Sequence, residues 1–346
     1  MQLTKNIKRQ IRELPGLLYQ KELNAELTKL DAHFGQWRQG SLSPFDLVEH
    51  IHEFHQKPAR ELYSRFSFLN LAQKQTMKST IFLLFLILLL TNCSQDNKPA
   101  DTQTTDGYEL VWSDEFEQPG LPDSTKWNYD AGGHGWGNRE LQFYTHRRRE
   151  NARVEGGKLI IEARKEQWDT SNYTSAKLVS RGNQSWLYGK FEVSAKLPKG
   201  RGTWPAVWMM PEKDTHGGWP ASGEIDIMEH VGFNPGVVHG SVHTEAYNHV
   251  IGTNKSDTLV VPGAMDAFHV YAVEWSADSL FFLIDGERYH SFANEHKTYK
   301  EWPYDHPFYL ILNIAVGGNW GGQKGIDDSI WPQKMEVDYV RVYQKK

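Results

Sequence analysis

The chain has 346 residues and a formal net charge of −5, a length that suits two domains or one large all-β domain with additional segments. Residues 107–346 carry 25 Lys and Arg against 32 Asp and Glu, which argues against a nucleic-acid partner and, less strongly, against polyanionic substrates. Twelve of the 13 tryptophans also lie in this part, more than its core requires. Flat aromatic surfaces in such excess are typical of a cleft that binds sugars.

The first 76 residues differ in composition from the rest of the chain. Leucines between Leu14 and Leu30 approximate a helical period, and Pro44 and Pro58 interrupt the segment. The sequence therefore predicts short helices in residues 1–76, and it does not indicate their role.

Residues 77–93 have the pattern of a bacterial lipoprotein signal peptide. Ten apolar residues from Ile81 to Leu90 follow Lys78, whereas a membrane-spanning helix needs about 20. The only cysteine of the chain, Cys93, stands where such a signal places its lipidated residue. A buried apolar helix is the alternative. Because signals belong at an N-terminus, either translation starts at Met77, which we favour, or residues 1–76 are a fused or misassigned segment.

Residues 94–107 are polar, contain no aromatic residue and read as a linker. With Cys93 lipidated, no cysteine remains for a disulfide, so the following domain depends on its own core. We expect a monomer that is exported to the bacterial cell envelope. It would be held by the lipid anchor at Cys93, on the periplasmic side or at the cell surface.

The remaining residues, 108–346, show β patterns almost throughout. Apolar or alternating runs at residues 158–164, 188–197, 269–275, 308–316 and 335–343 are separated by Gly, Pro, Asn and Asp. Residues 280–292 predict a hairpin with a type I′ turn at Asp285-Gly286. Many short strands of this kind predict an all-β fold, a two-sheet antiparallel sandwich.

Three acidic residues interrupt the apolar stretch Gly223–His230. Glu224 and Asp226 share one face of a regular strand, and Glu229 joins them only if Ile227 or Met228 is accommodated in a β-bulge. Adjacent carboxylates repel one another, so folding alone does not favour the arrangement. A solvated strand edge is the simpler explanation. The functional one is glycoside hydrolysis, which uses a pair of carboxyl groups.

The sequence Glu-Ile-Asp-Ile-Met-Glu resembles the bulged signature of glycoside hydrolase family 16, as in laminarinases, β-agarases and κ-carrageenases. The resemblance covers residues 107–346 and implies a jelly roll with a concave substrate cleft. It also implies a retaining reaction that needs no catalytic cofactor. In these terms Glu224 is the nucleophile, Asp226 its orienting neighbour and Glu229 the general acid/base.

The resemblance also implies a set of substrate-binding residues. Asn138 and Arg139 match a glycine-rich loop that contacts sugar hydroxyls, although alone they would read as a turn. Trp204 and Trp208 share a strand face, either in the core or in the cleft, and we expect both to reach sugar. Trp219 would be an aromatic platform. His243, one strand beyond the acids, would bond a carboxylate or a sugar unless it is a core histidine.

Members of this family often hold a structural calcium ion. The resemblance assigns it to Glu115, Gly157 and Asp338, whose oxygen atoms suit Ca²⁺. The alternative is that the two acids pair with a neighbouring Arg or Lys.

We expect an endo-acting β-1,3-glucanase of the laminarin type, since Gly137–Tyr144 and Val316–Gly322 look more like laminarinases than agarases or carrageenases. The alternatives are an agarase, a carrageenase, a mixed-linkage glucanase, a transglycosylase, or a carbohydrate-binding protein without catalysis.

Overall fold

The computed structural model of the protein describes residues 107–346 and, before them, residues 29, 33, 36 and 41–43. The chain divides into two units, Met1–Ala100 and Asp101–Lys346, and every strand described below belongs to the second. Residues 29, 33 and 36 are helical. The rest of the predicted helical segment, the signal peptide with Cys93, and linker residues 94–106 lie outside the described residues. No helix among the described residues is long and apolar enough to cross a membrane.

The smaller of two sheets has seven strands. Numbered in chain order, they are β2 Asn128–Tyr129, β7 Lys177–Val179, β9 Thr203–Pro211, β10 Glu224–His230, β11 Val237–His243, β12 Lys255–Val260 and β16 Phe308–Val316. Their spatial order is β12-β11-β10-β9-β16-β7-β2, and every pair is antiparallel.

The larger sheet has ten strands. They are β1 Tyr108–Asp114, β3 Gln142–Tyr144, β4 Ala152–Glu155, β5 Lys158–Trp168, β6 Ser171–Ser175, β8 Gly189–Lys196, β13 His269–Trp275, β14 Ser279–Ile284, β15 Glu287–Ala293 and β17 Gln333–Lys345. The order is β15-β14-β13-β8-β17-β5-β6-β3, with β1 also paired to β17 and β4 to β5. A short helix, α1 Gly318–Gly321, follows β16 of the smaller sheet.

The predicted sandwich is confirmed, with one correction. Strands occur at all the predicted positions, and the β14–β15 hairpin turns at Asp285 and Gly286 with φ values of 53° and 84°, as a type I′ turn requires. The pairing is not wholly antiparallel, because β3 runs parallel to β6. Because β3 and β6 have only three and five residues, their sequences do not indicate that they pair in parallel.

The main core lies between the two sheets. In β16, Leu310, Leu312 and Ile314 belong to this core, whereas Tyr309 and Ile311 form a separate small cluster on the opposite face. This alternation follows from the pleat of the strand. The smaller sheet therefore has an inner face that packs on the larger sheet and an outer face that carries its own side chains.

We expect Leu312→Ala to lower the free energy of unfolding by about 2–5 kcal/mol, because a fully buried leucine is replaced by a cavity. Urea unfolding measured by fluorescence tests this. The matched control is Val260→Ala, at a side chain that is 66% exposed, which should change stability by no more than about 0.5 kcal/mol. Equal losses in both variants would contradict the assignment of β16 to the core.

Candidate active site

The strand β10 contains the predicted bulge. Its pairing with β11 shifts between Asp226 and Glu229, and its pairing with β9 shifts between Asp226 and Met228. One extra residue is thereby inserted, and both Ile227 and Met228 are fully buried in the core. The bulge lets Glu229 turn to the same side as Asp226 despite the odd spacing between them.

Strand register places the three acids on the outer face of the smaller sheet. Glu224 is opposite His243, Asp226 is opposite Trp208, and Glu229 is opposite both Ala206 and His239. Directly opposite residues in antiparallel strands project to the same side. The three acids, His243 and Trp208 therefore project from a single face.

Glu224 is held by two aromatic residues from neighbouring loops. The Trp219 indole N–H donates to Glu224 Oε2 at 2.8 Å, and the Tyr304 hydroxyl donates to the Glu224 backbone carbonyl at 3.0 Å. Trp219 is still 39% exposed, so its ring is open to a ligand. The same side chain can therefore fix the carboxylate and offer an aromatic surface.

Asp226 is almost fully buried between Glu224 and Glu229. His243 Nε2 lies 3.4 Å from Asp226 Oδ2 and 3.9 Å from Glu224 Oε1. One nitrogen or oxygen atom from each of these three residues falls within 4.8 Å of the others. His243 thus lies close to both acids, and the residue is itself buried.

Glu229 is oriented from the opposite end of the site by Trp204. The Trp204 indole N–H donates to Glu229 Oε1 at 2.9 Å. The Trp320 ring meets the Trp204 ring edge-on, with centroids 5.4 Å apart, and it also contacts His239. A side chain at Gly321 would bring its Cβ within 2.9 Å of the Trp204 Cβ, so α1 can lie against this tryptophan only with glycine there.

Burial raises the pKa of all three carboxyl groups. The pKa of Asp226 is held well above its usual value by burial and by the neighbouring charge of Glu229. Burial and the charge of Asp226 raise the pKa of Glu224, and burial together with the charge of Glu224 raises the pKa of Glu229. The site therefore retains protons towards neutral pH, which a general acid requires.

A network that sequence reasoning missed lies beside the acids. Glu140 accepts hydrogen bonds from Gln142 Nε2 at 2.6 Å and from the Tyr144 hydroxyl at 3.2 Å. Asn313 Nδ2 donates to the Tyr144 oxygen at 3.0 Å, and the Trp208 indole N–H donates to Asn313 Oδ1 at 2.7 Å. The Trp208 ring is thus fixed on the outer face, where it remains partly exposed. A lone Asn in the apolar run 308–316 was the one available sequence signal.

Lys177 is the second group that the sequence did not identify. Its ammonium nitrogen lies 4.4 Å from the centroid of the Trp136 ring and 4.7 Å from that of Trp208. Burial lowers its pKa, while the charges of Asp130 and Glu140 oppose that change. The lysine sits in the same cross-strand row as Asn313 and adds a positive charge to a face dominated by acids.

The loop with Asn138 and Arg139 lies next to the Trp204 end of the site. The Asn138 carbonyl accepts from Asn319 N at 2.7 Å, and a Cβ at Gly318 would contact both this carbonyl and the Trp204 ring. Arg139 is exposed, with a φ of 56°. The structure therefore brings this loop to the edge of the acidic face, the part of the smaller sheet's outer face that carries Glu224, Asp226 and Glu229.

The predicted calcium ligands lie near one another, but one does not fit its role. Strand β17 pairs with β1 beside Glu115 and with β5 beside Gly157, so both approach Asp338. Arg341 donates to both Glu115 carboxylate oxygens, at 2.8 and 3.0 Å. The prediction that the Glu115 side chain binds calcium is therefore wrong for this arrangement, and the alternative, pairing with an arginine, is what the structure has.

Three comparisons describe what the chain is similar to. Residues 139–341 match glycosyl hydrolases family 16. A β-glucanase of Rhodothermus marinus is 54% identical over 278 residues, which cover 78% of this chain and 96% of the relative. A glucan endo-1,3-β-glucosidase of Cryptopygus antarcticus is 41% identical, covering 68% and 91%.

The fold agrees with these sequence relationships. The crystal structure of the laminarinase from Rhodothermus marinus superposes with a TM-score of 0.68 and 57% identity, covering 69% of this chain and 98% of that one. The two-sheet sandwich, the acidic face and the sequence matches lead to one conclusion: the chain belongs to glycoside hydrolase family 16.

Proposed function

We propose that this protein is an endo-acting retaining β-glycanase that hydrolyses β-1,3-glucan of the laminarin type. The observation that carries the proposal is the bulged strand β10, which presents Glu224, Asp226 and Glu229 side by side on one face. Retaining glycosidases need two carboxyl groups, one as nucleophile and one as acid and then base. The two outer glutamates, Glu224 and Glu229, meet that need.

In the first step Glu224 attacks the anomeric carbon of the sugar. The glycosidic bond breaks as Glu229 gives its proton to the leaving oxygen, and the sugar becomes esterified to Glu224. Trp219 holds the attacking carboxylate at 2.8 Å, and Trp204 holds the acid at 2.9 Å. Each reacting group is therefore fixed by a donor of its own, which reduces the reorganisation that the reaction requires.

In the second step Glu229, now ionised, removes a proton from water. The resulting hydroxide attacks the anomeric carbon, and the ester bond to Glu224 breaks, releasing the sugar with its original configuration. Asp226 lies between the two glutamates, and burial keeps its pKa high. A protonated Asp226 limits the repulsion between its neighbours and can donate a hydrogen bond to the departing Glu224 carboxylate.

A neutral glucan is supported as substrate by two observations. Relatives at 54% and 41% identity carry the names β-glucanase and glucan endo-1,3-β-glucosidase. The acidic residues in 107–346 outnumber the basic ones, which disfavours a sulfated polymer. The binding groups proposed for this glucan are Trp204, Trp208, Trp219, His243, Asn138 and Arg139.

The anchoring of the enzyme is a separate proposal. We propose a monomer in the bacterial cell envelope with a lipid on Cys93, supported by the apolar run that precedes this cysteine. Incorporation of a labelled fatty acid into the full chain, lost in Cys93→Ser, is the expected result.

We also propose a structural calcium ion, with Gly157 and Asp338 as its remaining candidate ligands. A chelator should lower the Tm of the protein, and calcium alone should restore it.

Separate roles for the two glutamates predict different losses of activity. Glu224→Ser should abolish laminarin cleavage, whereas Glu229→Gln should reduce kcat by about 10²–10⁴-fold. With an activated aryl β-glycoside of laminaribiose, whose leaving group needs no proton, Glu229→Gln should give a burst of phenol as the ester accumulates. Glu224→Ser should give none, and the first sugar released by the wild type should have the β configuration by NMR.

Glu245→Gln is the matched control, because Glu245 pairs with Lys300 Nζ at 2.8 Å and has no part in the proposed reaction. The substrate panel is laminarin, mixed-linkage β-1,3-1,4-glucan, agarose and κ-carrageenan, with release of reducing ends as readout. Cleavage of a galactan alone would overturn the substrate and keep the catalytic residues. If the wild type binds glucan without cleaving it, the proposed enzymatic activity is wrong.

Trp219→Phe should move the acidic limb of the pH profile of kcat/KM to higher pH. The Trp219 hydrogen bond lowers the pKa of Glu224, so its loss raises that pKa, and the nucleophile becomes ionised only at higher pH. The shift should reach about one unit, since one unit corresponds to about 1.4 kcal/mol. Trp168→Phe is the control, at a ring that is 38% exposed on the other sheet. A profile unchanged by Trp219→Phe would contradict the role of this hydrogen bond.

A further inference from the structure

Two histidines and one aspartate meet outside the acidic face. The Asp305 Oδ1 atom lies 3.4 Å from His216 Nε2 and 3.1 Å from His306 Nδ1. One potential ligand atom from each residue falls within 4.8 Å of the other two. His216 belongs to the loop between β9 and β10, whereas Asp305 and His306 precede β16, so two distant segments of the chain build the cluster.

Aromatic packing orients both imidazole rings. His216 stacks on Tyr299, with ring centroids 4.6 Å apart and planes 9° from parallel. His306 is buried and stacks on Phe308, with centroids 5.2 Å apart. The two imidazoles meet nearly edge to face, at 5.5 Å. Fixed rings lose little conformational freedom on binding, which favours a metal site over a flexible ion pair.

We propose that His216, Asp305 and His306 form a binding site for a divalent transition-metal ion of the zinc class. Two tetrahedral ligands at about 2.0–2.1 Å from zinc are about 3.3 Å apart, close to the 3.4 and 3.1 Å that separate Asp305 Oδ1 from the two histidine nitrogens. Two nitrogens and one carboxylate suit zinc, cobalt or nickel, whereas Ca²⁺ and Mg²⁺ prefer oxygen ligands. The Asp305 side chain is 58% exposed, which leaves room for water as the fourth ligand.

The position of the site gives the ion a structural role next to the reacting groups. His216 lies at the base of the loop that carries Trp219, and its backbone N–H donates to Ser222 Oγ at 2.9 Å. The other segment contains Tyr304, whose hydroxyl donates to the Glu224 carbonyl. An ion at this site therefore joins the two segments that flank the proposed nucleophile, and it contacts no reacting atom.

The test is the number of zinc ions bound by the full chain without a histidine tag, after treatment with EDTA and removal of the chelator. We expect the wild type to bind one more zinc ion than either His216→Ala or Asp305→Asn, by isothermal titration. Cobalt should give a visible absorption band that both variants lack. At zinc concentrations about 100 times Kd, the Tm of the wild type should rise by about 5–10 °C more than that of the variants.

His296→Ala is the matched control, because His296 and Asp278 form an exposed pair at 3.7 Å with no third ligand in the described part of the chain. It should bind as much zinc as the wild type. Asp305→Asn changes an exposed residue, so it keeps the test valid if His216→Ala disturbs the loop. A second group, Glu224, Asp226 and His243, could also bind zinc, but both cluster variants keep it, so the difference between the wild type and the variants reports the proposed site alone. Equal zinc binding by the wild type and both cluster variants would overturn the proposal.

Discussion

Three carboxyl groups side by side, one buried and two partly buried, are the constraint on which the rest of the site depends. An ionised carboxylate in a buried environment is costly, and neighbouring charges increase the cost. The protein offsets part of it with neighbouring groups, since the Trp219 indole donates to Glu224, the Trp204 indole donates to Glu229, and His243 Nε2 lies 3.4 Å from Asp226 Oδ2. Each of these groups comes from a different element, so the β9–β10 loop, β9 and β11 must all be in place before the acids can share one face.

The bulge solves a geometric problem and a packing problem at once. Without an extra residue, Glu229 would point towards the other sheet, into the apolar core. With it, Glu229 turns outward while Ile227 and Met228 are both buried. The energy gained by burying these two side chains helps to hold the irregular backbone, so the same local distortion contributes to stability and aligns the three acids.

Much of the fold and the centre of the site could be predicted from the sequence. The odd spacing of Glu229 from Asp226 indicated the bulge because a strand has a period of two, and Asp-Gly between apolar runs indicated the hairpin. These are local patterns. What could not be predicted depends on residues far apart in the chain, such as the approach of Lys177 to Trp136 and Trp208.

The same reason explains the errors and omissions. The Arg341 partner of Glu115 is 226 residues away, and nothing in either segment identifies it. The parallel pairing of β3 and β6 likewise depends on where the tertiary structure places two short strands. In each case the tertiary structure decides between partners that local sequence leaves equivalent.

The position of β17 has a consequence for how the chain reaches its native state. This last strand lies between β8 and β5 in the larger sheet and also pairs with β1, the first strand. Its partners therefore remain unpaired along that edge until residues 333–345 are available, and contacts of such long range slow the formation of structure. During synthesis from the N-terminus, the larger sheet cannot close until residues 333–345 have emerged. A polypeptide that stops before residue 333 would lack a strand from the interior of the larger sheet.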